Sequence, residues 1–259
     1  MSNIKVIKIG GNVVDNPEAL ERFVVDFANT PGHKILVHGG GVEATRLSAR
    51  LNIETRMIEG RRVTDADTLE VVTMVYAGLI NKRIVAKLQN AGCNAIGLTG
   101  ADAHIVTATR RKPNPIDYGF VGDIHDGAVD GQTLVHLCKS GIVPVVCAIM
   151  YDGEGGLLNC NADSVATAVA LGVSKLATTD LVFCFDKKGV LRDVDDPTST
   201  IPTITPANYP DLRSGNIIFK GMIPKIDNAL RAIAEGLRSV RICHSDDLNN
   251  DCGTTIHNI

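Results

Sequence analysis

Ile35-Leu36-Val37-His38-Gly39-Gly40-Gly41, followed at once by Val42-Glu43-Ala44-Thr45-Arg46-Leu47, decides how the rest of the chain is read. A short apolar run bounded by turn residues reads as a buried strand. Three consecutive glycines forfeit backbone entropy and side-chain packing, so bare backbone is needed there. The helical pattern behind them offers unpaired N–H groups and the positive end of a dipole, both suited to an anion. Strand, glycine run and helix together predict an anion or phosphate cradle. The plain alternative is a tight strand-to-helix turn, for which one or two glycines would serve.

The same punctuation recurs on either side. Residues 4–9 read as a strand ended by Gly10-Gly11. Asn16 caps, and Pro17 opens, a helix with the apolar face Leu20, Phe23, Val24 and Phe27. Pro31-Gly32 breaks it before a strand over 34–37. Residues 51–63 read as a short hairpin around Gly60-Arg61-Arg62, and Thr64-Asp65-Ala66-Asp67 starts one long helix through Leu69, Val72, Val75, Ile84 and Leu88. Residues 95–98 form a strand ended by Thr99-Gly100, and 104–125, with Pro113, Pro115, Gly119 and Gly122, predict a β excursion. A helix over 133–139, a buried strand over 142–149 and a hairpin turn over 151–156 follow. The remainder reads as a small-residue helix (162–171), a strand (176–185), a surface loop (193–206), a helix (222–235) and strands at 240–243 and 254–256. Alternation of this kind implies a largely parallel sheet covered on both faces, with ligands beyond the carboxyl ends of its strands. Gly10-Gly11, the glycines at 39–41 and Thr99-Gly100 are therefore expected to share one edge.

Composition narrows the function. The chain has 259 residues, net charge -3, 4% aromatic residues and no Trp, which gives no general pull toward nucleic acid, base stacks or anionic membrane. Cys93, Cys138, Cys147, Cys160, Cys184, Cys243 and Cys252 form no C-x-x-C pair and mostly lie in apolar runs, as reduced cytosolic thiols do. No signal-peptide layout and no membrane-spanning run is present, so a cytoplasmic location is expected. No P-loop occurs, and no G-x-G-x-x-G follows a strand.

Four constellations carry possible chemistry. Lys8 stands two residues before a glycine pair at a strand end, where an ammonium reaches a phosphate; a lysine snorkelling from the strand is the bland reading, which suits Lys5. Asn159, Asn161 and Asp163 share i, i+2, i+4 spacing. They either face one side of an extended segment or form a capping cluster, with Asp163 as cap if it begins the helix. Lys225 falls in the first turn of a helix, where a cation opposes the dipole unless an anion is near; an ordinary exposed lysine is equally open. Phe185-Asp186-Lys187-Lys188-Gly189-Val190-Leu191 lines a nucleotide pocket or forms a solvated turn. Arg62 offers a planar fork for a carboxylate, whereas Arg61 reads as solvated. His38 reads as structural rather than as a catalytic base, and no histidines have metal-ligand spacing.

Lys8-x-Gly10-Gly11, His38-Gly39-Gly40-Gly41, Gly60-x-Arg62-Val63-Thr64, Asn159-x-Asn161-x-Asp163 and Gly221-Met222-x-x-Lys225, in this order, resemble the amino acid kinase family over essentially the whole chain. Gly119-Phe120-Val121-Gly122-Asp123 and Gly253-Thr254-Thr255-Ile256 resemble the branch whose acceptor is an N-acylated glutamate. The resemblance implies an α/β fold, a three-layer αβα sandwich with an open, mainly parallel central sheet. It implies one domain of two lobes, with 1–155 binding the acyl amino acid and forming a homodimer, and 156–259 binding ATP. The implied reaction is ATP-dependent phosphorylation of the γ-carboxylate of an N-acyl-L-glutamate, N-acetyl-L-glutamate first, in arginine biosynthesis. Magnesium would arrive on the nucleotide, with no dedicated protein metal site.

By position, Lys8 and Lys225 would flank the transferring phosphoryl group, Asp163 would hold both lysines, and Gly11 and Gly40 would donate backbone N–H groups. Gly40, Gly41, Arg62, Asn159 and Asn161 would bind the acyl amino acid, Arg62 and Asn159 at its α-carboxylate. Asp186, Lys187, Lys188, Gly189, Val190, Leu191, Ile217, Ile218 and Phe219 would contact ATP. Lys220 before Gly221, and the pair Lys187-Lys188, depart from the family pattern around the nucleotide. Because Lys8 lies so near the start, a homodimer without arginine feedback is expected. An acceptor carboxylate is already a nucleophile, so such a site needs positioning and positive charge but no general base. An acyl-phosphate product makes exclusion of water by the 51–63 hairpin useful. N-succinyl-L-glutamate, aspartate, glutamate or carbamate as acceptor, and a non-catalytic amino-acid or nucleotide sensor, are the competing readings.

Overall fold

Ile4, Val6, Ile7 and Ile9 are wholly shielded from solvent, so both faces of the first strand are covered. That is the pattern of a central parallel strand with helices on either side. The computed structural model describes residues 3–193, 195–196, 198–215, 217–218 and 222–258. The chain runs β1 (Asn3–Ile9), α1 (Gly11–Val14), α2 (Pro17–Asn29), β2 (His33–His38), α3 (Gly41–Arg50), β3 (Met57–Ile58), β4 (Arg61–Arg62), α4 (Ala66–Thr73), a π-helical segment (Met74–Ile80) and α5 (Asn81–Asn90). It continues as β5 (Ala95–Leu98), β6 (Thr109–Arg110), β7 (Gly122–Asp123), α6 (Gly131–Lys139), β8 (Val143–Cys147), β9 (Ile149–Tyr151), β10 (Leu157–Asn159) and α7 (Ala162–Ser174). It closes as β11 (Thr178–Phe185), β12 (Thr203–Ile204), α8 (Tyr209–Ser214), α9 (Ile223–Ala234), β13 (Ser239–His244) and β14 (Thr254–Ile256).

Eight strands form the central sheet in the order β12-β14-β13-β11-β1-β2-β8-β5. Its pairings are parallel except for β13 with β14. α6 and α7 pack on each other and on the middle strands, α9 packs on β13 and β14, and α5 packs on β5 and β8 with α2 beside it. The expected α/β sandwich with a mainly parallel sheet is the observed one. No helix among the described residues is long and apolar enough to cross a membrane.

Several local expectations have visible causes. The Asn16 side chain accepts hydrogen bonds from the Glu18 and Ala19 N–H groups, and Pro17 opens α2. Asp65 caps α4 by accepting from Thr68 N–H at 2.8 Å. Residues 57–62 form the expected hairpin, and the turn at 151–156 is held by Asp152 Oδ1, which accepts from Glu154 and Gly156 N–H.

Three features differ from expectation. The helix begun at Asp65 is not uniform, because the π-helical Met74–Ile80 interrupts it. The loop expected at 193–206 contains β12, which adds to the outer edge of the sheet beside β14. Gly100 follows β5 on the same edge as the other glycines, but β8 separates it from them. A Cβ there would lie 2.8 Å from Met150 Cα, so Gly100 serves packing rather than an open edge.

Gly119 ties the excursion to the hairpin. Thr64 N–H donates to Tyr118 O, Phe120 N–H to Thr64 O, and Asn159 N–H to Phe120 O. Gly119 has φ +72, and an added Cβ would clash with the Thr64 carbonyl oxygen. Neither strain nor clash can be relieved by a side-chain movement. Gly119→Ala is expected to lose roughly 2–4 kcal/mol of stability. Urea denaturation checks this, and a loss below half a kcal/mol would show that the loop is not fixed by that contact.

Candidate active site

Three elements converge on one carboxylate. Lys8, one residue before the end of β1, places its ammonium 2.7 Å from Asp163 Oδ1. Lys225, in the first turn of α9, places Nζ 3.3 Å from Asp163 Oδ2. Asp163 lies in the first turn of α7, and the cap is Asn161, not Asp163. Asn161 Oδ1 accepts from the Asp163 and Ser164 N–H groups at 2.9 and 3.1 Å. With the cap supplied by Asn161, the Asp163 carboxylate is free to take both lysines.

Burial works to raise the Asp163 carboxyl, but Lys8 and Lys225 outweigh it and hold the group below the ordinary carboxylate range. It is therefore ionised, and the unfavourable cation at the start of α9 is answered by a carboxylate. One negative charge between two positive ones leaves the cluster net positive. Phe185, at the end of β11, lies against both cations, with its ring centroid 3.8 Å from Lys225 Nζ and 5.0 Å from Lys8 Nζ.

The glycines flank this cluster. β1 and β2 are neighbours, with Ile9 opposite His38, so Gly10-Gly11 and Gly39-Gly40-Gly41 leave the sheet side by side. Gly39 sits under the start of α7, since a Cβ there would be 3.4 Å from Ala162 Cβ. A Cβ on Gly40 would lie 2.9 Å from Tyr76 Cδ1 and closer still to Ile80. The bare backbone at Gly40 is thus required from the core side. A Cβ on Gly41 would meet only Arg62 Nη2 and the Tyr76 hydroxyl, both at 4.0 Å.

Arg62 is 7% exposed, and all its hydrogen-bond acceptors are neutral. Nη2 donates to Gly41 O (2.8 Å) and Thr45 Oγ1 (2.7 Å), and Nη1 to Thr55 Oγ1 (3.2 Å). A buried guanidinium with no carboxylate partner among the described residues is a fitting receptor for one. Asn159, also buried, donates from Nδ2 to Thr64 Oγ1 at 3.0 Å, and Thr64 Oγ1 donates to Arg62 O at 3.1 Å. Arg62 and Asn159 are thereby linked through one hydroxyl.

Asp186, Lys187 and Lys188 are exposed just beyond β11. Gly189, Val190 and Leu191 turn inward, and Val190 N–H donates to Thr254 Oγ1 at 2.8 Å. Ile218 is buried and Ile217 packs against the core, while Phe219, Lys220 and Gly221 lie outside the described residues. A cleft of about 1100 Å³ opens beside Asp163 and Lys225, floored by Phe183 and walled by Asn161, Arg61 and Arg111. Arg61, read as solvated, lines this cleft.

The sequence reading sets Phe185 in the run 185–191 without a part beside the lysines, and it passes over Tyr76. An aromatic at the last position of a strand, directly before a polar run, was the available signal for Phe185. Tyr76 had none, because only the π-helical segment turns it toward Gly41.

A family model described as the amino acid kinase family matches residues 3–244. An acetylglutamate kinase of Cytophaga hutchinsonii is 54% identical over 249 residues, covering 96% of this chain and 94% of that protein. An acetylglutamate kinase of Methanopyrus kandleri is 38% identical, covering 98% of this chain and 100% of that protein. Among solved structures, smu.665 from Streptococcus mutans superposes with TM-score 0.79 at 29% identity, covering 99% of each chain. A carbamate kinase of Giardia, 13% identical, shares the fold with TM-score 0.71, covering 100% of this chain and 99% of that one.

His38 supports the glycine turn without titrating. Its Nδ1–H donates to Gly39 O at 2.8 Å, and its Nε2 accepts from Asn81 Nδ2 at 3.1 Å. Burial first, with the Lys82 charge adding to it, pushes its pKa from 6.5 down to about 4. Above pH 6.5 both folded and unfolded states hold it neutral, and its contribution is complete. Between 6.5 and about 4 the unfolded chain binds a proton that the folded chain refuses, so stability falls with falling pH by up to roughly 3 kcal/mol. Melting temperatures from pH 7.5 to 4 are expected to show this slope, and His38→Gln to flatten it. An unchanged slope in that variant would assign the acid sensitivity to other groups.

Proposed function

The chain belongs to the amino acid kinase family, and we propose that its paired-lysine site carries the γ-phosphoryl group of ATP to the γ-carboxylate of N-acetyl-L-glutamate. The chain is a kinase whose acceptor is a carboxyl group, an activity that belongs to arginine biosynthesis. The observation that carries the mechanism is the placement of two ammonium groups on one carboxylate beside two glycine-ended strands.

A γ-carboxylate oxygen of the acceptor attacks the γ-phosphorus. The new O–P bond forms as the bond to the β,γ-bridging oxygen breaks, and its electron pair leaves with ADP. No proton is transferred, which fits a site where the histidine at the glycine run, His38, is neutral and buried. Lys8 and Lys225 stabilise charge on the phosphoryl and bridging oxygens, with backbone N–H groups of Gly11 and Gly40 as further donors. Asp163 keeps the lysines apart and aimed. Arg62 and Asn159 take the acceptor α-carboxylate, with Gly41 and Asn161 alongside. Residues 186–191 and 217–219 belong to the nucleotide side, in the lobe 156–259, with magnesium arriving on ATP. The lobe 1–155 holds the acceptor. The seven unpaired cysteines support a cytoplasmic location.

One observation favours a second acyl group. Arg61 lines the cleft with Asn161, and it makes no close ion pair among the described residues, although its charge reaches Asp123, which pairs with Arg111. Such a guanidinium suits an acyl group that ends in a carboxylate, as N-succinyl-L-glutamate does.

An ATP-dependent hydroxamate assay over N-acetyl-L-glutamate, N-succinyl-L-glutamate, glutamate and aspartate decides among these. Turnover is expected with an N-acylated glutamate and not with the free amino acids. Preference for the succinyl compound, abolished by Arg61→Ala, would select the second reading. No turnover with any acceptor would leave a sensor. Lys8→Ala should lower kcat by about 10²–10³-fold, and near wild-type kcat in that variant would sink the mechanism.

The homodimer is assigned to the outer face of the edge strand and its neighbouring helix. Ile96 on β5 is 39% exposed, and Met74 and Leu79 on the π-helical segment are 52% and 43% exposed. An open sheet edge with apolar neighbours is a surface that proteins cover. Leu79→Glu combined with Ile96→Glu should shift the sedimentation coefficient to that of a monomer. A dimer that persists in this double variant would place the interface elsewhere.

A further inference from the structure

We propose that Phe185 is a positioning residue for phosphoryl transfer, its ring holding both lysine ammonium groups in place while leaving their N–H donors free. This rests on the kinase reading above. Three observations carry it. The ring lies 3.8 Å from Lys225 Nζ and 5.0 Å from Lys8 Nζ, so a single ring meets both cations. The ring is itself fixed. It stacks on Phe183 at 6.1 Å with an interplanar angle of 14°, and its edge lies against Gly10, where an added Cβ would be 3.6 Å from Phe185 Cδ1. The two lysines share a single carboxylate, Asp163, and so carry one uncompensated positive charge.

An aromatic face suits this task better than a second carboxylate would. Each ammonium has three N–H donors; Lys225 directs one to Asp163 Oδ2, and Lys8 pairs with Oδ1 by charge. A carboxylate at position 185 would take further donors and cancel the positive charge that the phosphoryl group must meet. A quadrupole attracts a cation without accepting a directed hydrogen bond and without a net charge. Phe185 therefore counters the mutual repulsion of the lysines and leaves their remaining donors available. An aliphatic side chain would fill the same space and do neither.

The test replaces Phe185 with 4-fluoro-, 3,5-difluoro- and 3,4,5-trifluorophenylalanine, which preserve size while draining the ring face of negative potential. Phe185→Leu, Phe185→Tyr and Phe185→Trp complete the series. In the hydroxamate assay kcat should fall stepwise with fluorine number, and by roughly tenfold in Phe185→Leu. KM for the acceptor should stay within about twofold, because Arg62 and not Phe185 faces the acceptor carboxylate. Phe185→Tyr and Phe185→Trp should restore most of the rate. A flat fluorine series would reduce Phe185 to packing, even where Phe185→Leu is slow or unstable. The affinity for a non-hydrolysable ATP analogue, read by calorimetry over the same fluorinated chains, should weaken in the same order. That reading does not need turnover, so failure of the wild-type assay would overturn the kinase reading and leave the Phe185 inference separately decided.

Discussion

One ionised carboxylate between two ammonium groups is the constraint on which the rest of the structure depends. Lys8, Asp163 and Lys225 come from three elements that are remote in sequence, and the salt links fix how those elements meet. Removing a partner from a partly buried charge cluster is far more damaging than the net worth of the pair, because the remaining charges stay desolvated. Without Asp163 the two ammonium groups left behind would also repel each other. That asymmetry explains why α7 begins on its own asparagine cap. The cap leaves the Asp163 carboxylate unclaimed by its own helix.

The glycine run acts on two sides at once. From below, Tyr76 and Ile80 press on Gly40 so closely that no side chain fits. From above, Gly41 O receives the Arg62 guanidinium. A cradle reading accounts only for the upper side. The lower side is ordinary close packing, in which interiors leave no room for even one added methyl group. His38 completes the arrangement by donating to Gly39 O from a ring that burial keeps neutral.

Much of this was legible in the sequence, for physical reasons. Strand ends marked by glycine, a cap at Asn16, and the Asn159-Asn161-Asp163 spacing are local signals, and local signals survive without tertiary information. The conflict of Lys225 with its helix dipole pointed outward to a missing anion, which the fold supplies as Asp163. The rest depends on neighbours that no local pattern encodes. Phe185 looks like one more apolar strand residue until β11 is set beside β1 and α9 is placed above it. Tyr76 depends on a π-helical segment, whose extra residue per turn changes which side chains share a face. β12 is two residues long and exists only because β14 offers it an edge. The assignment of Asn161 rather than Asp163 as cap was a choice between adjacent possibilities that spacing alone left open.

The position of β1 also orders how the molecule is made. It lies between β2 and β11, with Lys8 opposite Val37 on one side and Phe183 on the other. During synthesis β2 emerges soon after β1, whereas β11 follows only after most of the chain. The strand that carries Lys8 therefore spends much of translation with one open, strongly apolar edge. Long-range parallel pairing of this kind is slow and exposes such edges to other chains. Reactive geometry and protection from misassembly arrive together, when Thr178–Phe185 docks against β1 and brings Phe185 to the lysine.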